Sequence, residues 1–432
     1  MKEKLLEPNS ASLTSKDKTL LDNGLIFAAA MWLLSRLLIL VAMLLIAPIL
    51  PAPSGGVAPT IGWGVFSWWD SLAYQQIATY GYQPDNNGNV YSVAFFPLFP
   101  LFIRAVMNLG LPFEVAGTLV NNLAFLGAIL VLYSWVEERG GTKAARWSTA
   151  VLAFCPLSLF GTVIYTEGLF LLFSTAALRA FDKQHYIWVG LWGAFATAAR
   201  PTGIALVPAL AIASWRERRP PIAYVASLAT CGGLILYCLY CQLQFGDFLA
   251  FAHAQQGWKR SLGVDWLGWW KMIAQISVGS ANWKYGYIKD PLHPILFLII
   301  CGCGYWLWRN RKKLGSVKVG YGFCALWLIL WLLAGDPLLN TVTILGGLYL
   351  LWHLRANLSP AAVTFGFCGL GLLLTSGSTI SLNRLAYGIV SLSVALGVLL
   401  ERYPRWGYAV MGFFTLLLAI FAIRFAQHQW VA

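Results

Sequence analysis

The sequence predicts an all-α protein that crosses a membrane many times, and three observations carry that prediction. Of 432 residues, 59% are hydrophobic and only 11% charged, where a soluble domain carries about 25% charged residues. Apolar runs of roughly 14 to 24 residues recur along the whole chain, and a spanning helix needs about 20. The basic residues gather in short connections between those runs, as loops retained on the cytoplasmic side do.

Taken in order, residues 1–24 are polar and mostly basic and read as a cytoplasmic segment. The apolar stretch 25–50 is too long for the core of a cleavable signal peptide and reads as a signal anchor. Further spans are expected near 112–136, 147–164, 168–182, 186–199, 202–215, 222–244, 291–308, 319–335, 338–354, 360–376, 385–400 and 408–425. That makes about 13 transmembrane helices in a single domain, 25–432. With this count, "EERGGTKAAR", "DKQH", "RERRPP", "RNRKK", "HLR" and "ERYPRWG" all fall on the side of the N-terminus. Two long connections, 51–111 and 245–290, then lie outside. The apolar run "SVAFFPLFPLFIRAVMN" belongs to the first of them: were it to span, every later basic loop would face outward. Pro97 and Pro100 also suit an interfacial helix better than the middle of a spanning one.

The same parity explains the net charge of +13 without a nucleic-acid partner, because the cations occupy topological positions. The eight cysteines sit in apolar segments as small buried residues. Cys238 and Cys241 form a C-x-x-C inside a continuous apolar run with neither His nor a second pair nearby, so no zinc site is expected, nor any other metal.

Between Val65 and Tyr80 the first outer loop reads as an amphipathic helix. Val65, Phe66, Trp69, Leu72, Ala73, Ile77 and Tyr80 share one face, and Ser67, Asp70, Ser71, Tyr74 and Gln75 the other. With its rings in the headgroups, the helix would hold Asp70 above the bilayer facing water, either as a cap or as a chemical group. The outer face offers no nucleotides, and the chain has no D-x-D and no phosphate-binding Gly-rich loop. A lipid-linked sugar phosphate is a donor that suits such a place. Its phosphate leaves readily, so the site needs one base for the acceptor hydroxyl and cations for the departing phosphate. Arg200 and Arg384 lie at outer turns, where arginine is costly and suits bidentate phosphate contacts; snorkelling or a helix-end carbonyl would also account for them. Arg36, inside the first span, reads as structural. Glu167, in a short hairpin beside Tyr165, would orient a sugar hydroxyl, pair with an arginine or end two helices. In "HAQQGWKR", His253, Gln256, Trp258, Lys259 and Arg260 combine a stacking ring, amide donors and charges that suit a sugar, a phosphate or an ordinary interfacial loop.

"SWWDSLAYQQIATYGY" followed by "AFFPLFPLFIR" resembles the PIG-V-type mannosyltransferase family, whose members carry a Trp-Asp, an I-A-x-x-G-Y and an F-F-P-L-x-P element in that order. "CPLSLFGTVIYTEGLFLLF", "AARPTG", "FGDFLAFAHAQQGWKR" and "SLNRLAYGIV" resemble later family segments, to about residue 395. The resemblance implies a GT-C helical bundle with interfacial helices and a catalytic Asp in its first outer loop. It also implies a polyprenyl-phosphate-linked mannose or related hexose donor, inversion at the anomeric carbon, and no bound nucleotide or other cofactor. Asp70 falls at the catalytic position, and Glu167, Arg200, Gln256, Trp258 and Arg384 at motif positions. With Lys259 and Arg260 the two arginines are then expected at the donor phosphate. Trp69, Tyr74, Tyr165, Glu167, His253, Gln256 and Trp258 are expected around the sugar and acceptor, whether glycolipid, glycan or protein. Where eukaryotic members show Arg-Ser-Asn-Gly, this chain has "RPTG" at 200–203, which resembles the prokaryotic branch and points to a bacterial cytoplasmic membrane with the site facing outward.

Two other classes fit a chain of this composition. A flippase of lipid-linked sugars would show repeat symmetry and polar residues at the midplane, whereas the polar residues here gather at one face. A non-catalytic subunit would lack the Trp-Asp acid, and Asp70 is present.

Overall fold

The computed structural model describes residues 15–84, 91–256 and 263–431. Among the described residues the secondary structure is helical, apart from an isolated bridge between Gly263 and Ser376. Helix α1 (Ser15–Leu40) continues through a π turn to Ile46 and a 3-10 turn to Ile49. Next come α2 (Asp70–Tyr80), α3 (Leu98–Met107), α4 (Phe113–Phe154), α5 (Glu167–Asp182), α6 (Tyr186–Ala199) and α7 (Leu206–Arg216). They are followed by α8 (Pro221–Ala229), α9 (Gly232–Phe245), α10 (Ala250–Gln255), α11 (Trp266–Ser277), α12 (Ser280–Tyr285), α13 (Leu292–Arg309) and α14 (Arg311–Ala334). The chain ends with α15 (Asp336–Thr341), α16 (Gly347–Leu354), α17 (Pro360–Leu374), α18 (Leu382–Tyr387), α19 (Val390–Arg402) and α20 (Pro404–Ala426).

Six helical stretches among the described residues are long and apolar enough to cross a membrane, or seven if the bent pair α8–α9 is one span. The protein is a multi-pass integral membrane protein. Several apolar runs that look continuous in sequence are broken, each for a local reason. The expected spans 112–136 and 147–164 form two arms of α4, divided within the "EERGGTKAAR" connection, where Gly141 at φ 80° turns the chain. The second arm was expected to run to residue 164. It stops at Phe154, because Cys155 is extended ahead of Pro156 and a short 3-10 turn takes over. The run 385–400 is split likewise, into α18 and α19 at Gly388 and Ile389. Helix α3 has ten residues, about 15 Å of length, half the thickness of a hydrocarbon core.

Helix α4 forms the centre of the bundle, with Phe125, Ile129, Leu132 and Tyr133 fully buried between α1, α5 and α19. Arg36 of α1 is buried there too, and it holds the 3-10 turn behind the Asp70 end. Its Nη1 donates to Ser158 O (2.8 Å) and Thr162 Oγ1 (2.7 Å), Nη2 donates to Ser158 Oγ (3.0 Å), and the guanidinium lies 4.6 Å from the Phe125 ring centroid. A buried polar group is tolerable only when bonded in this way, so the structural reading of Arg36 holds.

Candidate active site

The site assembles where the first residues of α2 and α5 meet the end of α6 and the short helix α18. Asp70 opens α2, and the preceding Trp69 adopts φ 58°, ψ −116°, a conformation that costs a side-chain-bearing residue of order 1–3 kcal/mol and is found chiefly at functional sites. The Asp70 N–H donates to Tyr165 Oη at 3.3 Å.

Tyr165 and Glu167 are held by a residue that the sequence reading overlooked. Asn121 of α4 is fully buried. Its Nδ2 donates to Phe160 O (2.7 Å) and Val163 O (2.6 Å), and its Oδ1 accepts from Gly168 N–H (2.9 Å). The hairpin is thereby pinned at both ends. A Cβ on Gly168 would stand 2.3 Å from Asn121 Oδ1 and 2.5 Å from Asn121 O. Gly168→Ala is therefore expected to displace the hairpin, lower stability by about 1–3 kcal/mol and impair whatever activity the site has. Thermal unfolding and activity of the purified variant check both; an unchanged pair would mean that the close approach is not needed.

Arg200 lies at the end of α6, extended at φ −152° as the residue before a proline prefers. Its Nη1 is 2.7 Å from Glu167 Oε1. Arg384, on α18, donates from Nη1 to Asp70 Oδ2 at 2.9 Å, and its Nε lies 3.7 Å from Glu167 Oε1. The guanidinium covers Tyr165 at 5.1 Å and Phe160 at 5.4 Å. Asp70, Arg384, Glu167 and Arg200 thus form one chain of alternating charge. Glu167 is 1% exposed and Arg200 7%, so the acid between the two arginines is what makes their burial affordable. The acids act back on Arg384: burial disfavours its charge, but Asp70 and Glu167 outweigh this and hold its pKa above the ordinary arginine value. Burial first, and Asp70 second, likewise raise the Tyr74 and Tyr165 hydroxyls, which remain protonated donors.

These groups line a cavity of about 150 Å³, walled by Tyr74, Phe95, Phe96, Thr166 and Gln255. Two buried guanidinium nitrogens, Arg200 Nη1 and Arg384 Nε, lie near Glu167 but have no aligned hydrogen-bond acceptor among the described residues. Both are nonetheless ion-paired with Glu167 Oε1, at 2.7 and 3.7 Å. On the other side of α18, beside Asn383 and Tyr387, a second and mostly apolar cavity of about 560 Å³ runs between α14, the α15–α16 segment, α19 and α20.

Of the residues anticipated from sequence, Asp70, Tyr74, Tyr165, Glu167, Arg200 and Arg384 come together around one cavity. Trp69 does not line it; it is 42% exposed and meets Trp430 edge-on at 5.2 Å. His253 pairs instead with Asp247 at 2.7 Å, both side chains well exposed. Gln256 falls in the turn after α10 and is exposed, while its neighbour Gln255 faces the cavity. The Q-x-x-W spacing, counted back from Trp258, reaches Gln255, so that signal was present in the sequence. Trp258, Lys259 and Arg260 lie outside the described residues. The expected orientation of α2 needs correction. Ser71 and Tyr74 face inward and are buried, while Leu72 and Tyr80 face outward. The Tyr74 ring packs edge-on against Phe95 and Phe99 at 5.3 and 5.2 Å, and this draws the nominally polar face onto the protein. Asp70 consequently points at Arg384 rather than at open water.

No curated protein sequence matches the chain. Among solved structures it is similar to ArnT from Cupriavidus metallidurans bound to undecaprenyl phosphate, with TM-score 0.47 and 14% identity over 93% of this chain and 63% of that one. It is also similar to the archaeal oligosaccharyltransferase AglB from Archaeoglobus fulgidus, in complex with an inhibitory peptide and a dolichol-phosphate, with TM-score 0.42 and 14% identity over 96% of this chain and 56% of that one. The chain therefore spans less than two thirds of the length of either. A family model for mannosyltransferase (PIG-V) matches residues 41–289, more than half of the sequence and the part that supplies Asp70, Glu167, Arg200 and Gln255, and the chain belongs to the PIG-V mannosyltransferase family.

Proposed function

We propose that the protein is an inverting glycosyltransferase that moves mannose, or a related hexose, from a polyprenyl-phosphate-linked donor to an acceptor hydroxyl at the outer face of the membrane. One observation carries this: the Asp70 carboxylate and the guanidinium groups of Arg384 and Arg200 share one small cavity, beside a larger apolar one. In the first cavity Asp70 accepts the proton of the acceptor hydroxyl, and that oxygen attacks the anomeric carbon from the face opposite the phosphate. The carbon–oxygen bond to phosphate breaks. The electron pair leaves with the phosphate, which changes from a diester with one negative charge to a monoester with two.

Arg384 and Arg200 meet that growing charge, an interaction worth more in the transition state than in the ground state. As the phosphate draws Arg384 toward itself, Asp70 Oδ2 is released to serve as base. Binding the donor thus prepares the acid that activates the acceptor. The apolar cavity next to α18 suits the first isoprene units of the carrier, with its phosphate at Arg384. The exposed Trp69, Leu72 and Tyr80 moor α2 at the headgroup level. No metal, nucleotide or other cofactor enters the scheme, because the leaving group is activated before it arrives. The acceptor is a glycolipid, a glycan or a protein. The pattern of basic connections supports a cytoplasmic N-terminus, with Asp70 on the outer side.

Proteoliposomes loaded with radiolabelled polyprenyl-phosphate-mannose and a crude lipid extract test this. Label should pass into an acceptor, and polyprenyl-phosphate-glucose should compete poorly. Donor that crosses the bilayer without forming product would replace the transferase with a flippase. Equal transfer of glucose would remove the preference for mannose and leave a hexose donor.

A further inference from the structure

We propose that a groove at the opposite end of the molecule binds the headgroup of an anionic phospholipid. Helix α5 starts at Glu167 and ends at Asp182, about 24 Å away along its axis. There a groove of about 460 Å³ opens between α4, α5 and α6. Its lining changes character along its length. Val131, Leu172, Phe173 and Ala176 form an apolar half, while Arg179, Lys183 and His185 form a basic rim. Trp188 and Trp192 stack on each other at 5.5 Å, and Trp192 stacks on Phe173 at 5.8 Å, as a flat wall beside both halves.

A gradient from hydrocarbon to cation in one groove matches an amphiphile lying with its chain inward and its phosphate at the rim. Indole rings favour this depth. In the structure Arg179 and Lys183 both turn to Glu138, at 2.6 and 2.8 Å. These are half-exposed pairs, which contribute little by themselves, so a phosphodiester can take the two cations from the single carboxylate. A zwitterionic phosphatidylcholine carries the same phosphate, but its choline meets the same cations, so net negative lipid is selected. No residue of this groove belongs to the Asp70 site, and the proposal stands or falls independently of the reaction assigned there.

The test is lipid-dependent thermal unfolding of the delipidated full chain, titrated with phosphatidylglycerol, phosphatidylcholine or inorganic phosphate. Phosphatidylglycerol should protect selectively. Each basic residue near a membrane surface changes affinity for anionic lipid by about fivefold, so Arg179→Gln with Lys183→Gln should weaken the protection by roughly 25-fold. Glu138→Gln removes the competitor and should strengthen it, a gain that misfolding cannot imitate. Equal protection by phosphatidylcholine, full protection by inorganic phosphate alone, or undiminished selectivity in the double variant would each overturn the proposal.

Discussion

Asp70→Asn is expected to reduce sugar transfer by a factor of about 10² to 10⁴, the range a positioned general base contributes, while the protein stays folded and still binds donor. Asn has the same size and can still accept a hydrogen bond from Arg384, so the local geometry survives. It cannot take a proton from the acceptor. In the proposed reaction Arg384 and Arg200 hold the donor phosphate, and Arg384 loses its nearest anionic competitor, so KM for donor should stay level or fall while kcat collapses. Asp70→Glu keeps the carboxylate but moves it by one methylene, and should retain more activity than Asn. A variant whose KM rises with kcat unchanged would make Asp70 a binding group instead.

The second large effect is at Glu167. Arg200 Nη1 and Arg384 Nε both lie within 4 Å of its Oε1, in a setting where Glu167 is almost wholly buried. Glu167→Gln removes the negative charge between the guanidiniums of Arg200 and Arg384 and leaves them to repel each other. Removing one partner from a buried ion pair costs about 3–5 kcal/mol. Displacement of the arginines by about 1 Å is enough to lose around 10²-fold in rate. Both effects should appear together: a lower unfolding temperature, and a loss of transfer that persists below that temperature. If stability stays at the wild-type level, the two arginines do not rely on Glu167, and the alternating-charge network is not what holds the site.

The sequence made individual charged residues conspicuous but could not show which of them meet. Asp70, Glu167, Arg200 and Arg384 stood out because ionisable residues are rare in such a chain and these lie away from the basic connections. Their convergence from four separate segments is tertiary and leaves no local trace. The orientation of α2 was misjudged because a polarity pattern assumes that polar residues face water. Tyr74 instead finds Phe95 and Phe99, and Asp70 finds Arg384, contacts supplied by segments distant in sequence. Asn121 was visible as a polar residue in an apolar run, in "VNNLAF", yet its task is to bind the backbone of the Tyr165 hairpin, which only the fold reveals. The early end of α4 at Phe154 could have been read from Pro156; the break between α18 and α19, at Gly388 and Ile389, has no such strong marker. The charge pattern led to about 13 spans, whereas six stretches meet the length and polarity of a full crossing among the described residues. The difference arises largely because helices such as α5, with 16 residues, and α6, with 14, are individually short.

The most direct test of the central claim, that Asp70 serves as a base in a single displacement from polyprenyl phosphate, is the anomeric configuration of the product. Purified protein in lipid, given donor of one defined anomer, should yield a glycoside of the opposite configuration, with polyprenyl phosphate released in equal amount. Product that keeps the configuration of the donor would require a second displacement, and it would contradict the role assigned to Asp70.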